Sequence, residues 1–309
     1  MRPTLRQLQY LVAIAETGHF GDAAKRVHVS QPSLSAQVAD MEAELGVALF
    51  ERGRYGARLT PRGEESVKRA KLILRDVEDL KAAVRLAPDQ LAGQLRVGVL
   101  PTVGPYLLPW AARRLHSDYP DLRFNVTEER STDLEAHLHE GLFDIVISTA
   151  EDHGNCKSQH LFDDQLWICV AHSDPLAATR TPVVLSDLMG CELLSLGYSD
   201  WRSLDLKVHA IAEASGATVS SEYRGTTLDA VRQMAEMGSG IAVLPSLYAL
   251  IEVRRDPQLI IRRIDHPIAI RQISLVWRDT SPLDSNLTKL AGVLREVAAD
   301  ILRTATPGV

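Results

Sequence analysis

The side chains best placed for chemistry in this 309-residue chain are small hydroxyls at the ends of strand-like runs. Thr102, with Val103 beside it, follows LRVGVL; Ser131 follows LRFNVTEE; Thr226 and Thr227 follow RG at the end of TVSSEYRG and open a helical segment. A hydroxyl beside a helix N-terminus can hydrogen-bond a carboxylate or another small polar group, and the helix dipole favours negative charge there. Each is equally suited to cap its own helix. Other chemistries fare worse. The cysteines are Cys156, Cys169 and Cys191, an odd number without CxxC spacing, which argues against a disulfide framework or a structural zinc site. Cys169 and Cys191 sit in strand-like runs and read as buried, inert thiols, whereas Cys156 lies in the polar stretch HGNCKS with His153 and Lys157 nearby. His137 and His139, two apart on a helix, face apart and make poor metal partners. Asp163 and Asp164 show no partnered acid or base. GxGxxG and GxxxxGKS/T are both absent, and no catalytic constellation has useful spacing, so no cofactor, no metal and no enzymatic activity are expected.

A second kind of recognition lies upstream. The stretch FGDAAKRVHVSQPSLSAQVADMEAELG reads as two helices joined by a tight turn. Ser30 is the N-cap of the second helix and Pro32 falls in its first turn, where a missing N–H costs nothing. Leu34, Val38, Met41 and Leu45 recur at helical spacing as one buried stripe, and Gly46 ends the helix. Its other side begins with Gln31, Pro32, Ser33 and Ser35, compact and not acidic until Asp40. Such a helix start suits a DNA major groove, where backbone N–H groups meet phosphate and Gln pairs with adenine. A wing-like hairpin, VALFERGRYGARLT, follows, with Arg52, Arg54 and Arg58 interleaved with glycines that let backbone approach DNA. Before the pair, residues 4–17 read as a helix with a Thr4–Gln7 capping box, stopped by Gly18.

Those sites need elements to hold them. Thr60-Pro61 starts a long helix whose Ala70, Ile73, Val77, Leu80, Val84 and Ala87 alternate spacings of three and four, a heptad seam suited to pairing with a second copy. From Leu95 strands alternate with helices, which implies parallel pairing with helices on both faces. The net charge of −6 is unevenly spread: residues 1–87 hold 14 basic against 11 acidic side chains, and the remainder 20 against 29. A mildly basic head on an acidic body fits a DNA-binding domain joined to something else. No apolar run is long enough to span a membrane and no signal-peptide pattern opens the chain, so a cytoplasmic location away from membranes is expected.

AAKRVHVSQPSLSAQVADMEAELGVALFER, followed by LTPRGEE, resembles the N-terminal winged helix-turn-helix of LysR-type transcriptional regulators over about the first 65 residues. LRVGVLPTVGPYLLP, GLFDIVIS and MAEMGSGIAVLP resemble the family's effector-binding region. The resemblance implies an all-α winged helix-turn-helix over 1–59, a linker and dimerisation helix over 60–88, and a two-lobed α/β effector domain, similar to periplasmic binding proteins, over 94–309. Lobe I would comprise about 94–163 and 269–309, and lobe II about 164–268, with crossings near residues 160–165 and 267–271. Gln31, Pro32, Ser33, Ser35, Arg52 and Arg54 would meet double-stranded operator DNA. Thr102, Val103, Ser131, Thr226 and Thr227 would face one interlobe cleft and hold a small, anionic effector, with Trp201 as a wall. The family implies homodimers through the linker helix, homotetramers through the effector domains, and RNA polymerase as a further partner.

LPTVGPYLLP is most similar to the peroxide-sensing OxyR branch of the family. That branch senses with a cysteine just after the strand corresponding to LLSLG and resolves it with a second, nine residues on. Placing this chain on that pattern without gaps puts Trp201 and Ala210 at those positions, so the disulfide switch would be lost. A peroxide-responsive regulator using a non-standard residue and, behind it, a metabolic enzyme with a helical appendage are the alternatives.

Overall fold

The computed structural model describes residues 3–53, 56–85, 92–179, 182–196, 202–225, 227–256, 258–281 and 283–305. The chain divides into two compact units, Met1–Ala87 and Pro88–Val309.

In the first unit, α1 (Leu5–Thr17) opens with the expected capping box: Gln7 N donates to Thr4 Oγ1 at 3.3 Å, and Thr4 N donates to Gln7 Oε1 at 2.9 Å. Gly18, at φ +69°, ends it. α2 (Phe20–Arg26) buries Ala23 and Ala24. α3 (Gln31–Leu45) starts at Ser30, whose hydroxyl accepts from Ser33 N at 3.3 Å, and stops at Gly46, at φ +70°. Leu34, Val38 and Met41 are buried, and Gln7 Nε2 donates to Gln37 O at 3.2 Å, pinning α3 to α1. Leu45 is 43% exposed, contrary to the expected stripe, because it falls in the last turn, outside the packed core. β1 (Phe50–Gly53) and β2 (Gly56–Leu59) pair antiparallel as the wing. The base of the wing is tied to α3 by Glu42 Oε1, which accepts from Leu49 N at 2.7 Å and Phe50 N at 3.1 Å.

Thr60 Oγ1 accepts from Gly63 N at 2.9 Å and caps α4 (Pro61–Arg85). Val67 and Ala70 are buried in the same core as α1, and Lys71 meets Glu16 of α1 at 3.1 Å. The start of α4 therefore does have an intramolecular partner, which the heptad pattern did not reveal. Further along, Ile73 is 44% and Leu80 63% exposed.

The second unit runs β3 (Gly93–Val99), α5 (Gly104–Asp118), β4 (Leu122–Glu128), α6 (Ser131–His139), β5 (Ile145–Thr149), β6 (Cys156–Val170), β7 (Glu192–Leu196), α7 (Arg202–Ser215), β8 (Thr218–Gly225), α8 (Leu228–Glu236), β9 (Ile241–Pro245), α9 (Ser246–Arg255), β10 (Ile260–Arg263), β11 (Ile270–Arg278) and α10 (Asp284–Ala305). Its strands pair in the order β4-β3-β5-β11-β6-β9-β7-β8, with β10 also on β6. β3 is parallel to β4 and β5, and β7 to β8 and β9, as the βα alternation implies. β6, β10 and β11 pair antiparallel, so the sheet is mixed rather than parallel throughout.

The departure has a reason. β6 is one 15-residue strand that threads both halves, pairing with β11 up to Gln165 and with β9 and β10 beyond it. The second passage runs through a short 3-10 turn at Pro267–Ala269 into β11. Two separate cores result. One gathers apolar side chains of β3, β5, β11, α5, α6 and α10; the other gathers those of β7, β9, α7 and α8. α9 belongs to both, with Leu247 in the first core and Tyr248, Ala249 and Leu250 in the second.

Candidate DNA-binding and effector sites

On α3, Gln31, Pro32 and Ser33 are exposed and Ser35 is half-buried. No acidic residue stands in the first turn of α3, so nothing there repels phosphate. Gln31 Oε1 lies 3.4 Å from the position a Cβ on Gly21 would take, so the carboxamide rests over α2. Arg58 is exposed on β2, whereas Arg54 and the side chain of Arg52 lie outside the described residues. The helix-turn-helix corner itself is held by His28 at φ +57°. The wing is fixed by its backbone: Ala57 N donates to Gly18 O at 2.7 Å, and Gly56 adopts φ +124° against the α1–α2 corner.

In the second unit a small cavity is lined by Leu100, Thr102, Ser131, Ser203, Leu204 and Arg271. Thr102 is 1% exposed, just beyond β3, and its hydroxyl accepts from Arg271 Nη2 at 3.2 Å. Ser131, 2% exposed, is the first residue of α6, and its Oγ has no hydrogen-bond partner among the described residues. A buried hydroxyl without a partner is uncommon, because leaving one unmade costs on the order of 1–3 kcal/mol. Arg271, on β11, is 2% exposed and paired with the equally buried Asp164, which accepts from Nη2 at 2.5 Å and from Nε at 3.1 Å. That leaves Nη1 without a hydrogen bond among the described residues. Asp164 thus has the cationic partner that its place in the sequence did not show.

The structure brings two of the expected effector residues together, Thr102 and Ser131. Val103 does not line the cavity but packs in the first core. Thr227 spends its hydroxyl as the N-cap of α8, accepting from Ala230 N at 3.2 Å. Trp201 and Thr226 lie outside the described residues. Two lining groups went unread in the sequence. Ser203 sits at the start of α7, with no strand end to mark it. Arg271 had a signal, since a lone arginine in the apolar run PIAIRQISLVW must be paired if buried.

Residues 5–64 match the family model described as "Bacterial regulatory helix-turn-helix protein, lysR family", and residues 88–299 match "LysR substrate binding domain". The chain belongs to the LysR family of transcriptional regulators. Its relatives include the DNA-binding transcriptional dual regulator OxyR of Escherichia coli, 36% identical over 94% of each chain. Among solved structures it is similar to a full-length OxyR variant from Pseudomonas aeruginosa, with TM-score 0.72 and 30% identity over 95% of this chain and 98% of that one. It is also similar to a hydrogen-peroxide-bound cysteine-to-serine mutant of OxyR from Corynebacterium glutamicum, with TM-score 0.66 and 29% identity over 99% of this chain and 95% of that one. This LysR chain is therefore OxyR-like, and the family is one of DNA-binding regulators rather than enzymes.

The thiols of this LysR chain stand apart from the cavity, since none of the three lines it. Burial, reinforced by Glu236, pushes the Cys169 thiol up to about 12. Cys156 and Cys191 are also raised, chiefly by burial. Cys156 lacks the ammonium that its sequence neighbourhood offered, because Lys157 Nζ is engaged by Asp284 at 3.0 Å. His137 pairs through Nδ1 with Glu129 at 2.6 Å, and no cluster of metal-ligating side chains forms among the described residues. No described helix is long and apolar enough to cross a membrane.

Proposed function

We propose that this OxyR-like regulator reads operator DNA with the start of α3 and the wing, and that a small effector in the Thr102–Ser131–Ser203–Arg271 cavity alters how its copies sit on that DNA. The division of labour is residues 1–59 for DNA, 60–88 for pairing and 94–309 for the effector. The observation that carries the effector reading is the convergence of Thr102, Ser131 and Arg271 on one small cavity, lined by a buried hydroxyl unpartnered among the described residues. The donors suit a compact molecule with two or more oxygen acceptors. An anion fits when it draws on Arg271 Nη1 and the N-terminal dipole of α6, which begins at Ser131. Recognition is by hydrogen bonds and shape, because the described lining carries no thiol and no metal-ligand set.

A second reading comes from the peroxide-bound Corynebacterium relative: hydrogen peroxide itself, held without covalent chemistry. One experiment separates the two. Operator footprints of the full chain are recorded with small oxyanions and carboxylates, and with stoichiometric peroxide, on the native protein and on a Cys156→Ser, Cys169→Ser, Cys191→Ser triple variant. A footprint moved by an anion supports the first reading. A peroxide shift that survives loss of all three thiols supports the second, and no shift with any of them removes this cavity as a small-molecule site.

On the DNA side, Gln31→Ala and Ser33→Ala should each weaken specific operator binding by about 1–3 kcal/mol if they read base edges, while leaving non-specific binding almost unchanged. Competition gel shifts against random duplex measure the difference. Equal losses on both DNAs would reassign α3 to a purely phosphate-binding role.

A further inference from the structure

Asp164 serves two partners with one carboxylate. Its Oδ2 accepts from Nε and Nη2 of Arg271, at 3.1 and 2.5 Å. Its Oδ1 accepts from the backbone N and the hydroxyl of Ser246, at 2.8 and 2.7 Å. Ser246 is the first residue of α9, and the N-cap position before it is Pro245, which supplies no side-chain cap. The N-terminus of α9 is therefore closed by a carboxylate from β6, a partner the helix dipole favours. α9 is also the helix whose first turns pack into both cores. At the other end of the junction, Arg271 lines the cavity and donates to Thr102.

We propose that Asp164 is a positioning residue that sets the guanidinium of Arg271 in the cavity and, through the same carboxylate, couples the cavity to the start of α9. This rests on the cavity being the effector site. A ligand that accepts from Arg271 competes with Asp164 for the guanidinium. As that pairing loosens, Asp164 is left more fully to Ser246, and the hold on α9 changes where the helix meets both cores. Among the described residues Arg271 and Ser246 make no hydrogen bond to each other, and the hydrogen bonds that link them run through this buried carboxylate. A conformational readout of this kind requires a two-state element that the ligand biases, and that role is assigned to α9.

The test uses the full-length chain and no effector, so it can fail while the effector titration succeeds, and the reverse. Hydrogen–deuterium exchange is followed for the amides of residues 246–250 in the native protein, Ser246→Ala and Arg271→Gln. Arg271→Gln is expected to change exchange there by roughly tenfold, the scale of one hydrogen bond to a charged group, although Arg271 makes no hydrogen bond to α9 among the described residues. Arg271→Lys, which keeps the charge and loses the two-pronged contact, carries the same arm should Arg271→Gln fail to fold. The reciprocal arm places a reporter thiol in the cavity as Ser203→Cys. Adding Ser246→Ala should shift the pH profile of its alkylation toward high pH, because Asp164 is then left more fully to the guanidinium, and adding Asp164→Asn should shift it toward low pH, because the cation is no longer neutralised. A merely structural Asp164 would leave the reporter's pH profile unmoved by Ser246→Ala. Native exchange in α9 of both Arg271 variants, or a reporter profile indifferent to Ser246→Ala, overturns the proposal.

Discussion

Thr102 gives the narrowest probe of the cavity. Thr102→Val keeps the branched shape and removes the hydroxyl that Arg271 Nη2 donates to. Effector affinity should fall by about 1 kcal/mol or more, with operator binding by the ligand-free protein unchanged. Calorimetry with the anion or peroxide that moves the footprint checks the first half, and gel shifts check the second. His153 yields a prediction of another kind. It is 1% exposed, and neither ring nitrogen has a partner among the described residues. Burial holds its pKa below the usual histidine value, although Asp152 and Glu135 pull upward and His139 adds to the lowering. The unfolded chain then takes up a proton near pH 6.5 that the folded protein refuses. Stability is whole above that pH and declines as pH falls from about 6.5 toward the depressed folded value, by up to about 1.4 kcal/mol per pH unit. Urea denaturation of His153→Phe should show a flatter slope than the native protein between pH 7.5 and 5.5. An identical slope would assign the acid sensitivity to other groups.

At the scale of elements, the wing depends on one backbone position. Gly56 sits at φ +124°, and a Cβ there would come within 2.6 Å of Gly18 O, a backbone atom that cannot swing aside. Gly56→Ala should therefore cost on the order of 1–3 kcal/mol of strain and lift β2 from the α1–α2 corner, with weaker and less salt-sensitive operator binding. Thermal unfolding and gel shifts over a salt series test this, and an unaffected salt slope would take the wing out of the DNA contact. What could be read ahead of the structure followed the strength of local signals. α1 and α3 announced themselves through caps and apolar spacing. α9 did not, because GIAVLPSLYALIEV is almost unbroken apolar sequence, and Ser246 to Leu250 are all buried, leaving no polar face to set a period. The cavity divided the same way. Thr102 and Ser131 follow recognisable strands, whereas the Asp164–Arg271 pair joins residues 107 apart, and such long-range pairing leaves no local pattern. Thr227 shows the converse, a strand-end hydroxyl whose capping role was the one realised.

For the whole molecule, the exposed stretch of α4 must be answered by something. Ile73 and Leu80 stand in a heptad seam with Val77 half-buried between them, while Val67 and Ala70 are already spent on the core shared with α1. A helix with apolar residues facing water on one stripe gains little by itself, and we propose a second copy of the same stripe as its self-complementary cover. Such pairing would also let a head with so slight an excess of basic residues bind DNA firmly. Two heads held together bind as one ligand, and the second contact is made at the effective concentration set by the linkage. Val77→Asp with Leu80→Asp would place facing carboxylates in that seam and bury them against each other. Sedimentation of the double variant should show smaller species. Operator affinity should fall by roughly 10²–10⁴-fold, the size of a lost bivalent advantage, although no DNA-facing side chain has changed. Far-UV circular dichroism must remain native for the result to count, since α4 also contributes to the core of its own unit. A native-like oligomer with undiminished operator binding would move the dimer contact off α4 and leave the exposure of Leu80 without a role in assembly.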